Sequence, residues 1–411
     1  MSSTTPTTTD IDRARLPELL PLCRKLAAQF APRAAAYDRE GRFPTEDFGE
    51  MRAAGLMGIL VPQSHGGTGA NYADYTRAIE ALAIGNGATA LAFNMHNVVV
   101  GALAELDMED VPGRRAQSLA ACRNWIYDEA LAGKVFASAS SEPEAGPRLT
   151  QIKTKYERVD GGFILEGTKS FVSMAGHADY YLIAARSEQM FGDVPGISYF
   201  IVERDNPDVT IREVWDTLGM RATCSNTLIL NRCFVPTERL FLLEGVALYK
   251  STREPHWLIG GFNGVYLGIA VAAFEFLTSY LQRQAGNPNS PRRIDDPLVQ
   301  HRVGELAVAL ESTRNVVYDA AERVVRDRGS LATNIAIHRA KYLVNELGPR
   351  LSSEAISLCG GSTIAKRFPL ERYYRDSRCG GLMPARSDDC LTYIGRAVLG
   401  IDVTNPLTSY W

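Results

Sequence analysis

The chain has 411 residues, 45% of them hydrophobic and 22% charged. That balance suits a folded protein with two or three cores and excludes intrinsic disorder. A formal net charge of -3 supplies no basic field for nucleic acid. Seven cysteines without CxxC spacing argue against a metal site or a disulfide framework and for a reducing, cytoplasmic setting. The apolar run around Leu258 to Phe274 carries glycines, an Asn and a Glu, and is read as too short and interrupted to span a membrane.

Met1 to Asp10 is rich in Ser and Thr without a basic-then-apolar order, which predicts a loose tail rather than a signal peptide. From 11 to 132 apolar residues recur at three and four, as in Leu16, Leu19, Leu20, Leu26 and Phe30, predicting a helical domain. A glycine-rich turn punctuates it at Pro62 to Gly69. From 133 to 245 the texture changes to short β-type runs such as Phe163 to Leu165, Tyr180 to Ala185 and Ile197 to Val202, parted by turns such as Asp160-Gly161-Gly162. From 246 to 411 long helical periodicity returns, with one segment from Asp296 to Arg328 and another from Leu331 to Leu358. The expected class is α+β: an N-terminal helical domain, a middle β-barrel or sandwich, and a C-terminal four-helix bundle.

Two segments in the β region suggest chemistry. Phe136 to Gly146, reading FASASSEPEAG, offers small hydroxyl and glycine residues whose backbone N–H groups are free to meet a flavin ring edge and a pyrophosphate. Taken alone it is equally an ordinary polar turn. Gly167 to Ser173, reading GTKSFVS, ends a strand on an aromatic with a nearby hydroxyl, which can pack on a planar cofactor and bond its edge. Its plain alternative is a strand with a buried Phe.

In this order, and followed by Leu218-Gly219-Met220-Arg221, Phe234-Val235-Pro236, Cys359-Gly360-Gly361, Pro369 to Arg372, Arg375-Asp376 and Ile394-Gly395-Arg396, these segments resemble the acyl-CoA dehydrogenase superfamily over nearly the whole chain. The resemblance implies an FAD-dependent oxidoreductase in which Ser140, Ser141, Gly146, Phe171 and Ser173 bind the cofactor, Ser141 and Ser173 bonding the isoalloxazine and Phe171 packing against it. It also implies that Arg283, Gly360 and Gly361 meet the FAD of a neighbouring subunit within a homotetramer, with an electron acceptor or a flavin reductase as a possible partner.

The same alignment exposes departures. Abstraction of an α proton needs a base while hydride leaves for the flavin. The family's usual glutamate position falls on Pro384, with Ala385 and Arg386 after it, and its alternative position falls on Leu258. Positions that contact the thioester ligand map to His256 and Ile259, so His256, Met383 and Arg386 are expected around an altered substrate pocket. Glu254, one helical turn before Leu258, and His96, in the apolar stretch from Leu91 to Val100, are the candidate acid/base residues. The plain readings are a helix-start carboxylate for Glu254, a satisfied core histidine for His96 and a solvated arginine for Arg386. Three functions remain open: an oxidoreductase acting on a CoA- or carrier-bound acyl thioester, a monooxygenase of the same fold fed by a flavin reductase, and a non-catalytic flavoprotein. Loss of the base favours the second. A His that comparable monooxygenases carry where this chain has Met383 disfavours it.

Overall fold

The computed structural model describes residues 16–108, 111, 113–284 and 292–406, so the tail Met1 to Asp10 lies outside the described residues. The N-terminal region holds α1 (Leu16–Glu40), α2 (Thr45–Ala53), α3 (Tyr72–Gly85), α4 (Gly87–Ala104) and α5 (Gly113–Leu131). Side chains set the boundaries. The Asn71 amide oxygen accepts from the N–H groups of Ala73 and Asp74 while Asp74 reaches back to the Asn71 N–H, and Asn86 both ends α3 and caps α4.

The middle region forms β1 (Phe136–Ala139), β2 (Lys155–Val159), β3 (Gly162–Val172), β4 (Tyr180–Phe191), β5 (Val194–Glu203), β6 (Val209–Arg212), β7 (Asn226–Pro236) and β8 (Leu240–Phe241). They make one hydrogen-bonded sheet in the order β6-β7-β3-β2-β4-β5-β8, with β1 parallel to β4. The β3–β7 ladder slips between Leu165 and Gly167 and again between Lys169 and Val172. The second slip re-aims the strand end that carries Phe171.

The C-terminal region comprises α6 (Ala247–Arg253), a π turn at His256–Gly260, α7 (Gly261–Arg283), α8 (Pro297–Asp327), α9 (Leu331–Cys359), α10 (Leu370–Gly380) and α11 (Ser387–Val398). Asp296 and Ser330 cap α8 and α9, with Pro297 at the first turn of α8. The two long helices thus fall where the sequence periodicity placed them. Helix α7 presses on α3 through glycine: a Cβ on Gly268 would stand 2.3 Å from the Glu80 carbonyl oxygen. Two stretches, Gly87–Ala104 and His256–Arg283, are long and apolar enough to cross a membrane by length and composition. They are 78% and 89% buried inside the fold, so their apolar surface is core.

A polar knot joins the three regions. Arg375 donates to both oxygens of Asp38 (3.0 and 2.6 Å), Arg221 donates to the Asp38 carbonyl at 2.8 Å, and the Met220 N–H donates to Asp376 at 2.6 Å. Burial raises the Asp376 carboxyl to about 6. The Met220 turn, which abuts the candidate site, is therefore anchored from below.

Candidate functional site

The end of β3 is bent into a platform. Phe171 adopts φ 55° and Met174 φ 65°, the left-handed region that bulky residues avoid. The bend turns Phe171 outward, where it is 63% exposed, edge-on against Trp215 with ring centroids 5.7 Å apart. Trp215 Nε1 donates to the Met220 carbonyl at 3.0 Å, so the aromatic support is fixed. Beside it, the Ser173 hydroxyl lies 2.9 Å from that of Ser225, which lies 2.7 Å from Thr223 Oγ1. An exposed aromatic bordered by ordered hydroxyls suits a flat ligand with polar edges, and the residues present fit a flavin ring.

The Ser140–Gly146 loop is locked to that platform by a buried ion pair. Lys169 Nζ donates to Glu142 Oε1 at 2.7 Å, with the lysine side chain fully buried and the glutamate 5% exposed. Glu142 also accepts from the Thr154 N–H (3.0 Å) and the Lys153 N–H (2.6 Å). Burial pushes the Lys169 amine down to about 8 against the pull of Glu142. Burial opposes ionisation of Glu142 too, but Lys169 and the N–H donors hold its carboxyl below the usual range. Paired main-chain bonds between Glu142 and Gly146 (2.9 and 3.0 Å) close the loop, and the Ser170 N–H donates to the Ser141 carbonyl at 2.9 Å. Ser140, Ser141, Gly146, Phe171 and Ser173 are thereby brought together.

A narrow slot of about 40 Å³ opens between α4, the sheet and α6, lined among others by Val98, Ala102, Leu242, Glu254, Trp257 and Leu258. Glu254 does not start a helix; it is the C-cap of α6, its N–H donating to the Lys250 carbonyl at 2.8 Å. Its carboxylate is paired with Lys250 and lies 3.5 Å from Arg328 Nε. Leu258 keeps the slot apolar at the alternative base position.

Other expected residues stand elsewhere. His96 is fully buried: Nδ1 accepts from the Phe136 N–H at 3.2 Å and Nε2 meets the Met57 carbonyl at 2.8 Å. Both nitrogens are occupied and burial lowers the ring to about 4, so His96 pins α4 to β1. His256 has Nε2 2.6 Å from Glu105, which also accepts from Trp257 Nε1 at 2.9 Å. Arg386 pairs with Asp389 (3.0 and 3.1 Å) at the start of α11. Met383 is partly buried against the core. Arg283 is exposed at the end of α7. Gly360, with φ 99°, ends α9 where a Cβ would stand 2.9 Å from the Arg293 guanidinium, and Gly361 has open space.

Sequence reasoning missed three features. The Glu142–Lys169 pair was spelled in both motifs, but no pattern pairs positions 27 apart. The Thr223 and Ser225 hydroxyls lie in a segment that no motif marked. Lys341, fully buried on α9, donates to the Asn345 amide oxygen and the Gly380 carbonyl, both at 2.9 Å, and so braces the turn that leads to Met383 and Pro384. Burial lowers its amine to about 7.

Three family profiles match in order: acyl-CoA dehydrogenase, N-terminal domain over residues 18–107, middle domain over 137–233 and C-terminal domain over 262–383. A putative acyl-CoA dehydrogenase, YdbM of Bacillus subtilis, is 31% identical over 89% of this chain and 92% of its own. L-evernosamine nitrososynthase of a Micromonospora species is 29% identical over 92% of this chain and 88% of its own. Among solved structures, KijD3 in complex with FMN and dTDP-3-amino-2,3,6-trideoxy-4-keto-3-methyl-D-glucose superposes with a TM-score of 0.78 at 28% identity, covering 97% of this chain and 95% of that one.

Proposed function

This chain belongs to the acyl-CoA dehydrogenase family, and we propose that within it the protein is a flavin-dependent monooxygenase that acts on a small amine rather than a dehydrogenase of acyl thioesters. One observation carries the reading. Pro384 and Leu258 fill both base positions, and the carboxylate that lines the slot, Glu254, is already held by Lys250 and Arg328. Dehydrogenation of a thioester cannot proceed without a proton acceptor at the α carbon. Oxygenation of an amine asks for no such acceptor.

The reaction balances as amine, dioxygen and two-electron-reduced flavin giving hydroxylamine, water and oxidised flavin. The flavin, when bound, supplies the activation of dioxygen. Phe171 would stack on the ring, and Ser141 and Ser173 would bond its edge. The Glu142–Lys169 pair keeps those two segments in register, and the apolar slot excludes water from the substrate end. The nitrososynthase relative and the amino-sugar nucleotide in the KijD3 complex support an amine on a sugar nucleotide as the substrate class. The proposed assembly is a homotetramer in the cytoplasm holding FAD or FMN, with a separate flavin reductase as partner.

A second reading keeps the family's dehydrogenation of an acyl thioester, with Glu254 as base and an electron-transferring acceptor. It rests on the place of Glu254 in the slot beside Leu258. The two separate in one experiment. The protein is supplied with FMN or FAD, a general flavin reductase, nicotinamide cofactor, isotopically labelled dioxygen and a panel of amino-sugar nucleotides. Labelled oxygen in the product supports the oxygenase. Peroxide alone across the panel, together with flavin bleaching by an acyl-CoA, would establish the second reading instead.

A further inference from the structure

A cleft of about 230 Å³ opens where α1, the turn around Met220 and the start of α10 meet. Arg39, Arg221, Lys366, Arg372 and Arg375 line it, against the two carboxylates of Asp38 and Glu371. Both carboxylates are taken by one guanidinium: Arg375 Nη2 donates to Asp38 at 2.6 Å, and Nε to Glu371 at 2.7 Å. Arg221 pairs with Asp216 at 2.6 Å and donates to the Thr217 carbonyl at 2.9 Å. That leaves Arg39, Lys366 and Arg372 with no ion pair among the described residues.

Arg372 is only 7% exposed, and a charged group at that depth ordinarily has a charged partner. Its guanidinium lies 5.3 Å from the centre of the Tyr373 ring. Asp376, one helical turn on, accepts from the Met220 N–H at 2.6 Å and forms no ion pair with Arg372. Arg39 and Lys366 are exposed and reach the cleft from α1 and from the segment before α10. Helix α10 itself begins at Leu370 with no side-chain cap, so its first-turn N–H groups and the positive end of its dipole add to the field there.

We propose that this cleft is an anion site for a phosphoryl group, with Arg372 as its buried anchor and Arg39 and Lys366 as its rim. Three uncompensated cations on separate elements suit a group of two or more negative charges. A lone carboxylate would neutralise only one of them, and the planar arginine forks match phosphoryl oxygens in pairs. At about 230 Å³ the cleft is smaller than the ~300 Å³ at which pockets for drug-sized ligands begin. Phosphate or diphosphate therefore fits, with any larger remainder of the molecule outside. The occupant ties α1, the Met220 turn and α10 together. Trp215, whose Nε1 donates to the Met220 carbonyl at 3.0 Å, stands beside that turn as a reporter. The site holds or fails independently of the flavin reading.

The test is titration of the full-length protein, as purified, with inorganic phosphate, pyrophosphate and a nucleoside diphosphate at constant ionic strength, followed by calorimetry and tryptophan fluorescence. Pyrophosphate should bind saturably at one site per subunit and raise Tm by about 2–4 °C at a hundredfold excess over Kd. Arg39→Gln and Lys366→Gln, both at exposed positions, should each weaken it about tenfold. Arg372→Gln should abolish it; if that variant does not fold, the two rim variants decide. Arg326→Gln, which removes an exposed cation on α8, should bind as wild type does. Tighter binding of the nucleoside diphosphate than of pyrophosphate would identify the occupant as part of a nucleotide, and equal or weaker binding a free anion; either supports the site. Absence of saturable binding by all three, equal weakening in Arg326→Gln and the rim variants, or unchanged binding in a folded Arg372→Gln overturns the proposal.

Discussion

Lys169 and Glu142 meet 2.7 Å apart with neither side chain more than 5% exposed, and this contact joins the two segments that make the candidate flavin site. Removing one partner leaves the other charged and buried. Lys169→Met should destabilise the fold by about 3–5 kcal/mol and abolish flavin retention, read by urea denaturation and by flavin content after gel filtration. Adding Glu142→Gln in the same chain should recover part of that loss, because the stranded charge is gone. Equal stability for the single and double variants would show that the pair is incidental.

Phe171 should separate binding from stability. Its ring is exposed and its backbone lies at φ 55°, so Phe171→Gly relieves strain while loosening the unfolded chain. Thermal stability should stay within about 1 kcal/mol of wild type, whereas flavin affinity should fall about tenfold or more through lost stacking. Unchanged affinity would move the ring elsewhere.

His96 gives the stability a pH dependence of known sign. Its folded value of about 4 lies below the ordinary 6.5, so the unfolded chain takes up a proton first as pH falls. Stability contributed by the neutral ring is complete above pH 6.5 and is lost progressively toward pH 4, by about 3 kcal/mol. His338, lowered to about 4 by burial, works the same way. Denaturation profiles for His96→Gln should therefore start lower at neutral pH but fall less steeply between pH 6.5 and 4. A slope identical to that of wild type would mean the histidine titrates normally in the fold.

Glu254 divides the two functional readings. Its partners Lys250 and Arg328 are partly exposed, so Glu254→Gln should cost at most about 1 kcal/mol. Product formation with reduced flavin should change by no more than a few-fold. A general base would instead lose roughly 10²-fold or more in flavin reduction by its substrate.

Much of the fold was legible because long periodic helices and alternating strands announce themselves. The segments 296–328 and 331–358 match α8 and α9 to within a residue or so. The platform was legible in part. GTKSFVS marked an aromatic and a hydroxyl at a strand end, and that segment lies on β3, but the outward turn of Phe171 depends on a register slip against β7 that no local pattern encodes. His96 and Arg386 show the converse. A histidine on an apolar helix and an arginine in a family motif carry chemical promise in a sequence, but the groups they contact, Phe136 with Met57 and Asp389, are set by the packing. Those partners lie in other elements or point back along the chain, and only the packed structure identifies them.

The central claim is that this site holds a flavin without the base that thioester dehydrogenation requires. Anaerobic titration of flavin-loaded protein with short-, medium- and long-chain acyl-CoA thioesters, followed through the visible flavin band, tests it most directly. The account predicts a band that at most shifts on binding and does not bleach, in wild type and Glu254→Gln alike. Rapid stoichiometric bleaching of wild type by any of these thioesters would contradict it.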